Sequence, residues 1–216
     1  MHSSYPKLWR ALNWPNRISL ARLILIWPFI VLLLNQTAWP WARHAALGVF
    51  VVMAVSDMVD GLLARRLDAR TRLGAILDPL ADKALIICAV VLLSTRGAGP
   101  HGLTLPNWVV VAVVGKDLWV VAGTIVVLLV TERLRVHPTR AGKACTFGQL
   151  VLVGYTLLAP DLDRLADGLG RGGILAASWA VAALSLFAII SYTRLGLRFT
   201  LAEGKLLEDH NNRPIP

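Results

Sequence analysis

Cysteine, acidic residues and long polar segments are scarce in this 216-residue chain. The 2 cysteines, Cys88 and Cys145, lie apart inside apolar segments, which excludes a disulfide framework and a cysteine-rich zinc site. Both are expected to be packing residues. No solvated domain gathers lysine and arginine, so the net charge of +9 does not indicate nucleic-acid binding. We therefore expect no nucleic-acid partner.

Hydrophobic residues make up 56% of the chain, whereas about 45–50% is usual for soluble domains. They form runs separated by short breaks, each run near the ~20 residues that a helix needs to cross a bilayer. The sequence therefore predicts an all-α integral membrane protein with six transmembrane helices and no sheet. The predicted spans are residues 17–36, 42–64, 74–95, 106–130, 142–160 and 172–195.

Basic residues distribute unevenly around these spans. One side would hold most of them, and the other side only Arg43, Arg96, Arg164 and Arg171. This asymmetry follows the positive-inside rule and predicts that both termini and the segment 56–83 face the cytoplasm. The N-terminus lacks the Ser-rich and Arg-rich character of a mitochondrial presequence, which favours a bacterial inner membrane.

We interpret residues 1–216 as a single membrane domain, with an N-terminal segment 1–16, a six-helix core 17–195 and a cytoplasmic tail 196–216. The N-terminal segment is either an amphipathic helix lying along the interface or a frayed terminus.

Four aspartates lie at the inner ends of two predicted helices: Asp57, Asp60, Asp78 and Asp82. A charge inside a membrane costs roughly 2.5–3.5 kcal/mol, so intramembrane acids indicate function. Spacings of three and four residues return each pair to one helix face. If the helices meet antiparallel, the four carboxylates form an all-oxygen cluster.

Such a cluster suits a hard divalent cation, Mg²⁺ or Mn²⁺, because histidine and cysteine are missing from it. Two such ions can stabilise the attacking and leaving oxygens of a displacement at phosphorus. Small residues at Gly61, Ala64 and Gly74 leave room for a nucleotide or pyrophosphate beside the helices, and Arg65 can hold a phosphate.

The pattern Asp57-x2-Asp60-Gly61-x2-Ala64-Arg65-x8-Gly74-x3-Asp78-x3-Asp82 resembles, at every fixed position, the signature of the CDP-alcohol phosphatidyltransferase family. The resemblance implies phosphatidyl transfer from CDP-diacylglycerol to an alcohol, in a homodimer whose active cavity opens to the cytoplasm. It implies that the four aspartates bind two metal ions and that Asp82 deprotonates the acceptor. It also implies that the CDP group is bound by Asp57, Gly61, Ala64, Arg65 and Gly74.

Further segments resemble particular branches of the family. Residues 13–19 with Arg22, and residues 78–83, are similar to phosphatidylglycerophosphate synthases and cardiolipin synthases, which implies a glycerol-bearing acceptor. Gly115-Lys116-Asp117 and Pro138-Thr139-x2-Gly142-Lys143-x2-Thr146-x2-Gln149 look more like cardiolipin synthases. The resemblance thus implies phosphatidylglycerol or glycerol 3-phosphate as the acceptor, with inositol phosphate, serine or choline as alternatives.

Basic residues near the inner surface are candidates for binding the acceptor: Lys143, Arg140, Arg135 and Lys116. Lys116 and Asp117 lie in an apolar span, where they either neutralise each other or line the cavity. A second group of acids, Asp161, Asp163 and Asp167, is interpreted as a solvated turn on the opposite face. The alternative from another class is a divalent cation transporter, disfavoured because no second acidic cluster continues a path across the bilayer.

Overall fold

The computed structural model describes the backbone of residues 14–67, 74–100, 103–131 and 139–211, and the side chains of residues 20–57, 83–100, 103–126 and 139–197. These ranges contain six α-helices and no strand, so the all-helical prediction is confirmed for them. The helices are α1 (Trp14–Leu34), α2 (Ala42–Leu67), α3 (Gly74–Ser94), α4 (Asn107–Thr131), α5 (Arg140–Leu165) and α6 (Leu169–Asn211).

The first four helices begin and end within three residues of the predicted spans. The last two are longer: α5 continues through Pro160 to Leu165, and α6 extends for 43 residues to Asn211. Of the predicted interfacial segment, residues 14–16 form the first turn of α1, and residues 1–13 lie outside the described part.

Three helical segments of the described residues are long and apolar enough to cross a membrane: Asn107–Val126, Arg140–Leu165 and Leu169–Leu197. Two shorter apolar segments, Leu20–Leu34 and Lys83–Ser94, belong to α1 and α3. Large apolar side chains face outward, as lipid contact requires; Trp27 is 75% exposed and Val111 is 73% exposed. This arrangement is that of a membrane protein.

The described residues form a main apolar core and a smaller second cluster, made of Ala141, Cys145 and Ala188, between α5 and α6. α1 packs on α2 and α3, α2 packs on α5, and α6 packs on both α4 and α5. Small residues allow close approach where α5 meets α6, since a Cβ on Gly148 would lie 3.1 Å from the Leu184 side chain. The thiols of Cys145, which is buried, and Cys88, which is partly buried, are both free, in agreement with the predicted packing role.

The interpretation of the second acidic group as a solvated turn is wrong for two of its members. Asp161 lies on the last turns of α5 and accepts two 2.7 Å hydrogen bonds from the guanidinium of Arg43 on α2, a side chain that is 5% exposed. Asp163 accepts a 2.6 Å hydrogen bond from the backbone N–H of Gly170, near the start of α6. Only Asp167 is an exposed turn residue. The acids tie helices together because α5 continues past Pro160.

Candidate active site

Asp57 is the member of the predicted acidic cluster whose side chain the structure describes. It lies on α2, and its Oδ1 accepts a 2.7 Å hydrogen bond from Nη1 of Arg22 on α1. The Arg22 side chain is 2% exposed, whereas that of Asp57 is 44% exposed. Charge-assisted bonds of this kind are short and directional. Arg22 thus holds the Asp57 carboxylate from the interior of the bundle, and the other side of that carboxylate remains exposed.

The remaining predicted nucleotide and metal residues lie outside the described side chains. The helix bounds put Asp60, Gly61, Ala64 and Arg65 on the last turns of α2, and Gly74, Asp78 and Asp82 on the first turns of α3. Arg135 lies outside the described residues altogether. The four-aspartate cluster therefore stays a prediction.

Asp57 opens into a cavity of about 750 Å³ between α2, α3, α4, α5 and α6. Among the residues whose side chains the structure describes, the charged lining consists of three lysines and two aspartates: Lys83, Lys116, Lys143, Asp57 and Asp117. The rest of the wall is mainly apolar, and includes Phe50, Ala54, Phe147, Leu150 and Gly154. The described lining therefore combines charged side chains of both signs with an apolar wall, which suits a lipid with a charged headgroup.

Lys116 and Asp117 form an ion pair with each other and also line the cavity, so both alternatives from the sequence hold. Nζ of Lys116 lies 3.1 Å from Oδ1 of Asp117, and both residues line the cavity. The same oxygen lies 3.8 Å from Nζ of Lys83 on α3. One carboxylate on α4 is thus shared by two ammonium groups, and it links the first half of α3 to the cavity wall.

The first turn of α5 shapes the cavity mouth. Thr139 caps the helix, its side-chain oxygen accepting a 3.0 Å hydrogen bond from the N–H of Gly142. A Cβ on Gly142 would lie 2.6 Å from Oη of Tyr192 on α6, so only glycine lets the phenol pack there. Lys143 is exposed at the cavity, and Arg140 is exposed at the helix start.

Three functional neighbours were not predicted from the sequence: Arg22 as the partner of Asp57, Lys83 as the second partner of Asp117, and Tyr192 at the cavity wall. A signal for the first was available. Arg22 interrupts an apolar run, an arginine in such a run favours an acidic partner on another helix, and Asp57 is an acid of the next predicted span.

Known proteins of one family are similar to this chain. The family model described as CDP-alcohol phosphatidyltransferase matches residues 12–184. A CDP-diacylglycerol--glycerol-3-phosphate 3-phosphatidyltransferase of Bacillus subtilis is 33% identical over 156 residues, 68% of this chain and 77% of that protein. The protein of the same name from Escherichia coli is 33% identical over 180 residues, 83% of this chain and 92% of its own length.

A third relative, from Mycobacterium tuberculosis, carries the provisional name cardiolipin synthase. It is 31% identical over 182 residues, which are 84% of this chain and 79% of the relative. The match of the family model covers most of the chain, including both acid-bearing helices and the cavity residues of α2 to α5. The chain belongs to the CDP-alcohol phosphatidyltransferase family.

Proposed function

We propose that the chain transfers a phosphatidyl group from CDP-diacylglycerol to a glycerol-bearing acceptor and releases CMP, with residues 1–216 acting as one membrane domain. The observation that carries this proposal is Asp57, held by Arg22 at the edge of a cavity whose described lining combines three lysines with an apolar wall. A diphosphate linked to two acyl chains has an anionic part that would contact the lysines and apolar chains that would contact the apolar wall. The names of the relatives support both the donor and the acceptor class.

In the proposed reaction, the hydroxyl oxygen of the acceptor attacks the phosphorus that carries diacylglycerol. A new P–O bond forms, the bond from that phosphorus to the bridging diphosphate oxygen breaks, and CMP leaves with that oxygen. Asp82 takes the hydroxyl proton. Gly61, Ala64, Arg65 and Gly74 would hold the CDP group beside the helix ends.

We further propose that Asp57, Asp60, Asp78 and Asp82 bind Mg²⁺ or Mn²⁺. The donor chemistry fits, because all four side chains offer carboxylate oxygens and Asp57 is accessible from the cavity. When bound, such ions neutralise charge that develops on the phosphoryl oxygens. Arg22 would keep Asp57 in the orientation that binding requires.

The acceptor in this proposal is phosphatidylglycerol or glycerol 3-phosphate. Relatives with names for both activities match the chain, and both acceptors carry a phosphate beside the glycerol hydroxyl. Lys116 and Lys143 line the cavity and Arg140 is exposed close to it, so these three residues, together with Arg135, would bind that phosphate.

The deciding experiment uses purified protein with CDP-diacylglycerol and Mn²⁺. Phosphatidylglycerol, glycerol 3-phosphate, inositol phosphate and serine are offered separately, and lipid products are identified by mass. We expect CMP release and a new phospholipid with one of the first two acceptors. Absence of transfer to all four, together with cation flux in liposomes, would support the transporter alternative instead.

The proposed orientation places both termini and the cavity at the cytoplasmic face of a bacterial inner membrane, with the protein as a homodimer. The excess of basic residues at that side supports the orientation. A fluorescent protein fused after Pro216 should fold and fluoresce, whereas a periplasmic phosphatase fused there should stay inactive. Light scattering in detergent should give a protein mass of twice 23.5 kDa.

A further inference from the structure

Asp117 is the acidic residue of the described cavity lining that contacts two cations at once. Its Oδ1 lies 3.1 Å from Nζ of Lys116 and 3.8 Å from Nζ of Lys83. Both Lys116 and Asp117 are well shielded, with side chains 6% and 13% exposed, while the Lys83 side chain is 34% exposed. The three groups come from α3 and α4 and face the same cavity.

The charges of this trio do not cancel. One carboxylate against two ammonium groups leaves one positive charge, in surroundings where an uncompensated charge is costly. Asp117 lies within 3.8 Å of both ammonium groups and offsets part of the repulsion between them. An anion entering the cavity would supply the remaining negative charge, and the two ammonium groups provide donors for phosphate oxygens.

We propose that Asp117 is a positioning residue for substrate phosphate, holding Lys83 and Lys116 side by side as a two-lysine clamp. This inference rests on the proposed function and adds a role to it, because Asp117 acts through the lysines and does not touch the reacting atoms. The phosphate belongs either to the CDP donor or to the acceptor. The two sources share the same chemistry, and the kinetic constants for each substrate tell them apart.

A purely structural role for Asp117 makes a different prediction. If the carboxylate only neutralises Lys116 to stabilise α4, then its loss lowers thermal stability and the fraction of active protein, and leaves both KM values unchanged. If Asp117 positions the clamp, its loss weakens phosphate binding in protein that is still folded. The KM of one substrate then rises while kcat changes less.

The test compares wild type with Asp117→Asn, which keeps the size of the side chain and removes its charge, and with Asp117→Glu, which keeps the charge. Asp167→Asn is the matched control, because Asp167 is an exposed acid in the turn between α5 and α6. For each protein, kcat and KM are measured with CDP-diacylglycerol and the acceptor varied separately. Thermal midpoints in detergent are recorded alongside.

We expect Asp117→Asn to raise the KM of at least one phosphate-bearing substrate about tenfold, which corresponds to about 1.4 kcal/mol. Asp117→Glu should recover most of that loss, and Asp167→Asn should match wild type. Lys83→Met should raise the same KM. In the double variant Lys83→Met/Asp117→Asn, this KM should rise by less than the two single effects combined, because both changes disrupt the same clamp. Unchanged KM values in folded Asp117→Asn, or fully additive effects, would overturn the inference.

Should Asp117→Asn fail to fold, Lys116→Met/Asp117→Asn removes both members of the shielded pair and leaves no buried charge without its partner. The same rise in KM is then expected, since the clamp has lost one lysine and the anchor of the other. Failure of the proposed function has a separate signature: wild-type protein transfers no phosphatidyl group to any acceptor. If wild-type protein transfers the phosphatidyl group but no variant changes a KM value, the clamp is contradicted and the proposed function is not.

Discussion

The guanidinium of Arg22 on α1 lies 2.7 Å from the carboxylate of Asp57 on α2, across 35 residues of sequence. The arginine is buried and the aspartate faces the cavity, so the pair couples the interior of the bundle to the proposed reaction centre. A carboxylate held in this way keeps one orientation without using a substrate contact to do so. Arg22 therefore belongs with the active site although it does not reach the substrate cavity itself.

Arg22→Lys tests this coupling. Lysine keeps the charge but lacks the planar group that fixes a carboxylate, so Asp57 should lose its set orientation. We expect CMP release to fall at least tenfold, with a thermal midpoint close to that of wild type. Arg171→Lys is the control, because Arg171 is exposed near the start of α6. Equal activity of the two variants would show that orientation of Asp57 does not matter.

Asp82→Asn tests the proposed base. The amide cannot accept the acceptor proton, and general base catalysis contributes about 10²–10⁴-fold to rate. We expect CMP release to fall by that factor while the protein stays folded in detergent. Asp167→Asn should retain full activity. Full activity of Asp82→Asn would remove the base assignment.

Chelation tests the metal proposal. Treatment with EDTA should abolish transfer, because four neighbouring carboxylates without cations repel the diphosphate and each other. Adding Mg²⁺ or Mn²⁺ back should restore it. The assay is CMP release before and after each addition, and turnover that persists in chelator would contradict a metal-dependent site.

Asp161→Asn tests the ion pair at the opposite end of the bundle. The substitution leaves the buried Arg43 without its carboxylate, and breaking a buried pair costs about 3–5 kcal/mol. We expect a clear fall in the thermal midpoint, with KM values of the folded fraction unchanged. Arg164→Gln is the control, since Arg164 is 73% exposed and lies 3.6 Å from Asp161, and exposed pairs contribute little. A midpoint that does not move in Asp161→Asn would mean that the pair is not stabilising.

Gly142→Ala tests the contact between α5 and α6 at the cavity mouth. The added methyl would lie 2.6 Å from Oη of Tyr192, so the phenol must move. We expect lower activity and a lower thermal midpoint, both partly restored in Gly142→Ala/Tyr192→Phe. The matched control is Gly115→Ala, where nothing lies within 4 Å of the new Cβ. A neutral Gly142→Ala would show that α6 adjusts freely here.

Local patterns in the sequence predicted the number and starts of the helices well, because a hydrophobic run of fixed length reports directly on a helix in lipid. They failed at the ends of α5 and α6, where the chain becomes polar but the helix continues. Hydropathy marks the edge of the membrane, and it does not mark the end of a helix that extends beyond that edge.

Spacing along one helix identifies the candidate acids of the site, and it carries no information on contacts between helices. The acids of α2 and α3 stood out because each pair returns to one face. The pairs Arg22–Asp57 and Arg43–Asp161 join residues 35 and 118 positions apart, and no local period connects such residues. Asp161, one member of the second pair, was interpreted as part of a loop on the face opposite the proposed site.

The two buried arginine pairs have a joint mechanical effect on α2. Arg43 joins that helix to α5, and Asp57, 14 residues further on, joins it to α1, so the anchors are about 21 Å apart along the helix axis. Because α2 is held near its start and again in its second half by different neighbours, it can neither slide nor rotate without breaking a charged contact. A closure around a bound lipid that keeps both contacts would therefore leave α2 in place and move other helices that line the cavity.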